Sequence, residues 1–223
     1  MNGRRWPALD GLRGVAILLV FAFHLPFKTF LAGSYGVVLF FVISGFLITT
    51  ILLREVDANG RVDFGGFYAR RAQRLLPALG LVIVGHLILQ ITVLGQPDQW
   101  WGRTWPVLAY VANYAAMAGN NLVHMSHTWS LAIEEHFYLV WPAILVAIPA
   151  RWRWRTTATL ALGFLAWRLG LLWAGASDLR VYFGTDANAY APLIGCALAV
   201  AHHEGRLRMA GKNVTALATA CLL

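Results

Sequence analysis

The sequence is poor in charged residues and in cysteine. Charged residues make up 13% of its 223 residues, whereas hydrophobic residues make up 59% and the mean hydropathy is +0.60. An ordinary soluble domain carries roughly a quarter charged residues. The two cysteines, Cys196 and Cys221, lie in apolar runs, so we expect packing residues there and no disulfide framework. The composition excludes an ordinary soluble domain and predicts a membrane protein.

Several motifs of soluble enzymes are also missing. The sequence has no glycine-rich nucleotide loop, no Cys/His metal spacing and no Gly-x-Ser-x-Gly nucleophile elbow. We therefore expect no metal site. No internal repeat is present either, whereas a transporter built from two repeated halves with broken helices would show one.

The apolar runs are long enough to cross a bilayer, which takes about 20 helical residues for ~30 Å of hydrocarbon. Six full spans are predicted, followed by an incomplete seventh from Val214. The six lie at 14–31 (bent at Pro26), 35–53, 75–94, 131–148, 157–174 and 187–202. The predicted fold is an all-α polytopic bundle forming one membrane domain over residues 1–223, incomplete at the C-terminus. A cleaved signal peptide is the alternative for the first run, although the basic residues continue to Arg13 and no clear cleavage site follows.

The distribution of the basic residues indicates the membrane topology of the chain. A net charge of +8 could indicate a nucleic-acid partner, but 14 of the 18 Lys and Arg residues lie in alternate connections between the spans. This positive-inside bias places the N-terminus in the cytoplasm, and no nucleic-acid partner is expected. It also requires an even number of crossings between the 54–74 loop and the RWRWR segment at 151–155. The shorter apolar run at 105–117 is therefore expected to be re-entrant or interfacial.

The first polar motif is LDGLRGVAILLVFAFHLPF, residues 9–27. Arg13 and His24 are eleven residues apart, which is roughly 20° past three helical turns and ~16 Å along the axis. Ionisable residues at membrane depth indicate function. A cation at the rim and an imidazole at mid-depth on one helix face suit a long ligand with an anionic head and a reactive tail. Alternatively, His24 is a hydrogen-bonded packing residue.

The second motif is FYARRAQRLLP, residues 67–77. Arg70 and Arg74 share a helix face and Arg71 is adjacent. Guanidinium groups bind phosphate in a bidentate manner, so the trio predicts an anion clamp at the membrane rim. An anchor that contacts lipid head groups explains the same spacing equally well.

The third motif is HTWSLAIEEHFYLVWP, residues 127–142. It carries the consecutive ionisable residues Glu134, Glu135 and His136 inside a predicted span, which packing alone does not explain. Ser130, Glu134 and Tyr138 fall on one helix face and suit a hydroxylated ligand such as a sugar. The alternative places the glutamates in the solvated interface.

These three motifs, with GVVLFFVISGFLIT and YFGTDANAYAPLIGCALAV, resemble the membrane acyltransferase 3 family from about Trp6 to His202. The family comprises O-acetyltransferases of surface polysaccharides and related acceptors. The resemblance implies a bundle of about ten helices in the bacterial inner membrane, in contact with membrane lipids. It also implies transfer of an acyl group, expected to be acetyl, from cytoplasmic acyl-CoA to a hydroxyl of a glycan, a glycolipid or a related acceptor.

The resemblance also implies roles for individual residues. The family's Arg-x10-His motif falls on Arg13 and His24, its Arg-x-x-Arg motif on Arg71 and Arg74, and its glutamate on Glu134. His24 would act as general base or would accept the acyl group itself, and Glu134 would position the acceptor or the imidazole. The CoA phosphates are expected to be bound by four arginines, Arg13, Arg70, Arg71 and Arg74. The acceptor is expected to be bound by Ser130 and Tyr138.

The sequence departs from the family at two positions and in length. His136 stands where the family commonly has Gln, and Asn188 where it commonly has Arg. Arg168 is expected to extend toward the outer interface. Several of the family's helices are absent from the 223 residues, so we expect a C-terminally truncated domain. A non-catalytic membrane fragment and a proton-coupled transporter are the competing hypotheses.

Overall fold

The computed structural model describes residues 7–23, 32–95, 97–120 and 122–207. These residues form helices and turns, with no strand among them, which confirms the all-α class. His24, Pro26, Cys221 and the predicted seventh span from Val214 lie outside the described residues. In the described ranges the α-helices are α1 (Pro7–Phe23), α2 (Ala32–Asn59), α3 (Phe64–Thr92), α4 (Trp100–Leu108), α5 (Ala112–Met117), α6 (Trp129–Ala147), α7 (Arg153–Trp173), α8 (Asp178–Phe183), α9 (Thr185–Asn188) and α10 (Tyr190–His203).

Four helical stretches in the described part are long and apolar enough to cross a membrane: Tyr35–Asn59, Phe64–Thr92, Met125–Ala147 and Ala150–Trp173. They overlap the spans predicted at 35–53, 75–94, 131–148 and 157–174. The sixth predicted span corresponds to a shorter helix, because α10 has 14 residues. The first predicted span lies only partly in the described residues, which include α1 as far as Phe23. The number of six full spans stays a prediction.

The apolar run at 105–117 does not form one continuous helix. It is divided between α4, of nine residues, and α5, of six. At about 1.5 Å per residue neither helix approaches the ~30 Å of a bilayer core. Tyr110 lies at the break and has a positive φ of 53°, a conformation that is uncommon for a residue with a side chain.

The chain divides into two compact units. The first comprises 1–53, 148–163 and 190–223, and in it α2 packs against α10 at backbone distance. A Cβ atom on Gly45 would lie 2.0 Å from the Pro192 carbonyl oxygen. A Cβ atom on Gly195 would lie 2.0 Å from the Val42 carbonyl oxygen. Small residues allow such close approach between apolar helices. The buried Cys196 packs at this contact, with Sγ 3.5 Å from the Gly45 carbonyl oxygen, as the sequence predicts.

The second unit comprises 54–147 and 164–189. Its core joins α3 to α4, α5 and α6 through Leu79, Val107, Ala115, Met125 and Ala132. The start of α3 is set by Asp63, whose Oδ1 accepts a hydrogen bond from the Gly66 amide at 3.0 Å, a typical N-cap arrangement. The arginine-rich second motif and the carboxylate-rich third motif both belong to this unit.

Candidate active site

Arg71 joins the second and third motifs. Its Nη2 donates to Oε1 of Glu135 at 2.7 Å, and its guanidinium carbon lies 3.3 Å from the centre of the Tyr138 ring. The Arg71 and Glu135 side chains are only 22% and 19% exposed. A planar guanidinium can bind a carboxylate and stack on an aromatic face together, which an ammonium group cannot do as well. Arg71 is thus held between two side chains of α6.

Glu134 belongs to the same group of contacts through Tyr138. The Tyr138 hydroxyl donates a hydrogen bond to Oε1 of Glu134, as two residues four apart on one helix face can do. Tyr138 is buried, with 4% of its surface exposed. We call Arg71, Glu134, Glu135 and Tyr138 the Arg71 cluster. It contains three of the residues predicted from the sequence and adds Glu135.

The arginine trio is divided by the fold. Arg70 is 61% exposed, and its Nη2 is 4.0 Å from Oε2 of Glu55. Arg74 is exposed and has no ion-pair partner among the described residues. Only Arg71 enters the cluster, because it alone faces α6. The structure therefore does not place all three guanidinium groups at one point.

Two further predicted residues make local contacts. The Ser130 hydroxyl donates to the His127 carbonyl oxygen at 3.2 Å. In the first unit, the guanidinium carbon of Arg13 lies 5.8 Å from the centre of the Phe40 ring, near the outer limit for a cation–π contact. The predicted roles of these residues stay predictions, as does that of His24.

A second polar group in the same unit as the Arg71 cluster surrounds His136. Its Nδ1 lies 3.0 Å from Oγ1 of Thr185, which in turn lies 3.0 Å from Nδ2 of the fully buried Asn113. The Asn113 amide also donates to the Phe183 carbonyl oxygen at 3.1 Å. Sequence reasoning singled out His136 as one of three consecutive ionisable residues and as a departure from the family, but it missed Thr185. The one available signal was the position of Thr185 in the YFGTDANAY motif.

Tyr110 was also missed by sequence reasoning. It lies between α4 and α5, in the same unit as the Arg71 cluster. Burial, followed by the Glu135 charge, raises its pKa above the ordinary value, while Arg71 opposes this shift. Nothing in its sequence context predicts the left-handed backbone conformation.

Arg168 binds backbone carbonyl groups of its own unit, and its extension toward the outer interface stays a prediction. Its Nη1 donates to the carbonyl oxygens of Val181 and Ala187, at 3.0 and 3.2 Å, and to Oδ1 of Asn188 at 3.2 Å. Short helices leave carbonyl groups without helical partners, and the guanidinium satisfies those of α8 and α9. The buried Asn188 completes the contact, with its Nδ2 donating to the Tyr182 and Gly184 carbonyl oxygens.

An ion pair also supports the turn between α8 and α9. Oδ2 of Asp186 accepts from Arg180 at 2.5 Å and from the indole of Trp167 at 2.7 Å. Burial by itself would raise the pKa of Asp186, but these hydrogen bonds and the Arg180 charge outweigh it and lower the pKa below its ordinary value.

Span-length helices and a polar cluster between two of them, α3 and α6, define a multi-pass membrane protein with an internal polar site. The chain belongs to the acyltransferase 3 family, since the family's acyltransferase domain matches residues 6–223. This confirms the resemblance inferred from the motifs. No solved structure matches the chain.

Three curated relatives from bacteria are named as O-acetyltransferases, two of them as putative. The chain is 36% identical over 218 residues to peptidoglycan O-acetyltransferase OatA of Listeria monocytogenes, a match that covers 90% of this chain and 35% of the relative. It is 36% identical over 221 residues to the putative peptidoglycan O-acetyltransferase YrhL of Bacillus subtilis, covering 90% and 34%. A putative O-acetyltransferase of Staphylococcus aureus is 34% identical over 215 residues, covering 88% and 35%. The chain thus spans about a third of the length of these relatives.

Proposed function

We propose that the chain forms part of an integral membrane O-acyltransferase. The enzyme moves an acyl group, acetyl in this proposal, from cytoplasmic acyl-CoA to a hydroxyl of a glycan, a glycolipid or a related acceptor. Membership of the acyltransferase 3 family and the O-acetyltransferase relatives support this activity. The positive-inside distribution of arginine supports a bacterial inner-membrane protein with a cytoplasmic N-terminus.

The Arg71 cluster is the observation that carries the proposal. It brings a cation, two carboxylate side chains and a phenol together on two span-length helices. Such groups are costly in a membrane and are characteristic of functional sites. A buried ion pair adds little stability compared with apolar packing. Its presence is therefore better explained by chemistry than by folding.

Donor binding is assigned to the arginines. Arg70 and Arg74 are exposed, so their guanidinium groups are accessible to the phosphates of acyl-CoA. Arg71 is paired with Glu135 and stacked on Tyr138, yet its buried Nε has no hydrogen-bond partner among the described residues. That N–H is left to donate to a ligand oxygen. Arg13, in the first unit, is also proposed to bind a phosphate of acyl-CoA.

Acceptor binding is assigned to α6. Glu134 accepts a hydrogen bond from Tyr138, and a carboxylate with further lone pairs can accept a second one from an acceptor hydroxyl. Tyr138 and Ser130 line the same helix face. The three side chains would orient a hydroxyl oxygen for attack.

His24 carries the proposed chemistry. As general base, its imidazole takes the proton of the acceptor hydroxyl while that oxygen bonds to the acyl carbon. The thioester C–S bond breaks, and the proton passes from the imidazolium to the CoA thiolate. If His24 instead accepts the acyl group, the same bond to sulfur breaks first and the acceptor hydroxyl is acylated in a second step.

The test is transfer of label from radioactive acetyl-CoA to envelope glycans and lipids in membranes that contain this chain. We expect labelling by the wild type, loss with His24→Ala and with Arg71→Gln, and retention with Arg151→Gln, which alters an exposed arginine outside the cluster. The Listeria relative is the positive control. A folded chain that transfers no label, beside an active relative, would overturn the proposed activity.

A further inference from the structure

The indole of Trp167 is exposed, yet it is held at its edge by a hydrogen bond. The residue lies in the last two turns of α7, and 51% of its surface is exposed. Its Nε1–H donates to Oδ2 of Asp186 at 2.7 Å. This bond fixes the orientation of a large aromatic ring that is half open to its surroundings. A ring held in this way is ready to stack on a ligand.

Two charged side chains meet at the edge of this ring. Oδ2 of Asp186 accepts a second hydrogen bond, from Nη2 of Arg180 at 2.5 Å. The Asp186 and Arg180 side chains are 40% and 31% exposed, so a ligand can reach both of them. A carboxylate offers hydrogen-bond acceptors and a guanidinium offers donors. Because the two charges compensate each other, the pair favours a neutral polar ligand over an ion.

Gly184 allows these two side chains to meet. A Cβ atom at this position would overlap Nη1 of Arg180 and would lie 3.1 Å from Oδ1 of Asp186. The guanidinium and the carboxylate therefore lie over the backbone between α8 and α9, in space that a larger residue would occupy. We call Trp167, Arg180 and Asp186 the Trp167 group.

Asp186 is connected to the Arg71 cluster through a short path in the same unit. It follows Thr185, whose Oγ1 lies 3.0 Å from Nδ1 of His136. His136 in turn follows Glu135, the carboxylate that binds Arg71. A ligand that contacts Asp186 is therefore within a few residues of the cluster to which the acyl transfer is assigned.

The proposed topology places the Trp167 group on the acceptor side of the membrane. The basic segment at 151–155 is cytoplasmic in that topology, and the helical stretch Ala150–Trp173 is long enough to cross a membrane. The C-terminal end of α7 then reaches the outer face. Because the acyl-CoA donor is cytoplasmic in the proposed function, a group at this end of α7 meets the acceptor.

We propose that the Trp167 group is a binding subsite for a neutral sugar ring of the acceptor, in addition to the contacts proposed for α6. The indole stacks on the apolar C–H face of the sugar, while Asp186 and Arg180 form hydrogen bonds with its hydroxyl groups. This inference rests on the proposed function and narrows its acceptor to a glycan or a glycolipid. Tryptophan is also common at membrane interfaces, so the test must distinguish sugar binding from anchoring.

The first test is equilibrium binding of radiolabelled chitotetraose, a neutral oligosaccharide with apolar ring faces, to the purified chain in detergent. We expect the wild type to bind it and Trp167→Ala to raise the Kd about 10-fold, because the stacking surface is lost. Trp173→Ala is the matched control, since Trp173 lies on the same helix and is 92% exposed. It should bind like the wild type. A folded Trp167→Ala variant with the wild-type Kd, or a folded wild type that binds no chitotetraose, would overturn the proposal.

Asp186→Asn provides a second variant in case Trp167→Ala does not fold. The substitution preserves the shape of the side chain but replaces a charged acceptor with an amide, which forms weaker hydrogen bonds. We expect a higher Kd for chitotetraose, whereas Asp178→Asn, at an exposed carboxylate of α8, should keep the wild-type Kd. Equal Kd values for Asp186→Asn and the wild type would likewise overturn the proposal.

Steady-state kinetics separate the subsite from the proposed function. In the label-transfer assay, Trp167→Ala should raise the KM for solubilised envelope glycans about 10-fold and leave the KM for acetyl-CoA unchanged, because only acceptor binding is lost. Unchanged KM values for both substrates would overturn the subsite while the activity stands. If the wild type transfers no label, the proposed function fails, and the binding of chitotetraose still decides whether the subsite exists.

Discussion

Arg71 and Glu135 are 64 residues apart in the chain and form an ion pair of 2.7 Å between α3 and α6. The guanidinium also covers the Tyr138 ring, whose hydroxyl is bonded to Glu134. The two adjacent glutamates therefore have different partners. Glu135 binds the cation directly, while Glu134 is linked to it through the phenol.

The two glutamates should respond differently to the same substitution. Glu135→Gln leaves the Arg71 charge without its carboxylate, and breaking a buried pair costs up to about 3–5 kcal/mol. With both side chains about one-fifth exposed, we expect a smaller loss, seen as a melting temperature lowered by several degrees. Glu134→Gln should change the melting temperature much less and should reduce acyl transfer. Thermal unfolding in detergent and the label-transfer assay check this, and equal melting temperatures for the two variants would contradict it.

Arg71 should not tolerate replacement by lysine. An ammonium group at this position would keep the charge but would lose the planar contact with Tyr138, and a desolvated cation–π contact is worth about 2 kcal/mol. We expect Arg71→Lys to lower both acyl transfer and the melting temperature. Arg74→Lys is the matched control, because Arg74 is exposed on the same helix and should retain the melting temperature. If Arg71 were only a lipid anchor, Arg71→Lys and Arg74→Lys would have the same melting temperature, and this result would contradict the prediction.

Gly45 and Gly195 should be the most restrictive glycines of α2 and α10. A Cβ atom at Gly45 meets the Pro192 carbonyl oxygen at 2.0 Å, whereas one at Gly80 meets nothing within 4 Å. Overpacking costs about 1–3 kcal/mol, so Gly45→Ala should lower the melting temperature. Gly80→Ala should leave it unchanged or raise it, since alanine is favoured over glycine in helices by roughly 0.5–1 kcal/mol. A Gly45→Ala variant as stable as the wild type would show that the helices are not in backbone contact.

Asp186 should give the protein a stability increment that disappears in acid. Its pKa is lowered in the folded state by Arg180 and Trp167 despite burial, so the increment is complete above the ordinary value of 3.8. It is lost as pH falls from that value through the lowered folded-state pKa. Because the side chain is 40% exposed, the increment should remain below about 1 kcal/mol.

Melting temperatures of the wild type and Asp186→Asn, measured from about pH 6 downward, check this dependence. The wild type should be the more stable at the upper end, and the difference should shrink below pH 3.8. Asp178→Asn, which alters a nearby carboxylate outside the ion pair, controls for the general loss of negative charge. A difference that grows in acid would contradict the assignment.

Much of the fold could be predicted because the bilayer imposes simple rules on a sequence. Hydropathy and length indicated the four span-length helices, and the arginine count indicated that the run at 105–117 is not a full crossing. The break at Tyr110 could not be predicted, because a tyrosine in the left-handed region is held there by its tertiary contacts. The hydrogen bonds of Arg168 could not be predicted for a related reason. Its carbonyl partners on α8 and α9 are created only when those short helices form.

The sequence by itself determined the membrane class, the helical architecture and the family, because hydrophobic length and ordered motifs are properties of the chain that need no packing. Helical spacing also put Glu134 and Tyr138 on one face. Only the tertiary structure decided which arginine and which glutamate meet, since spacing fixes the face of each helix but not the rotation at which two helices pack. That rotation selected Arg71 over Arg70 and Arg74, and Glu135 over Glu134, for the ion pair. It also brought Thr185 and Asn113 to His136 from distant parts of the chain.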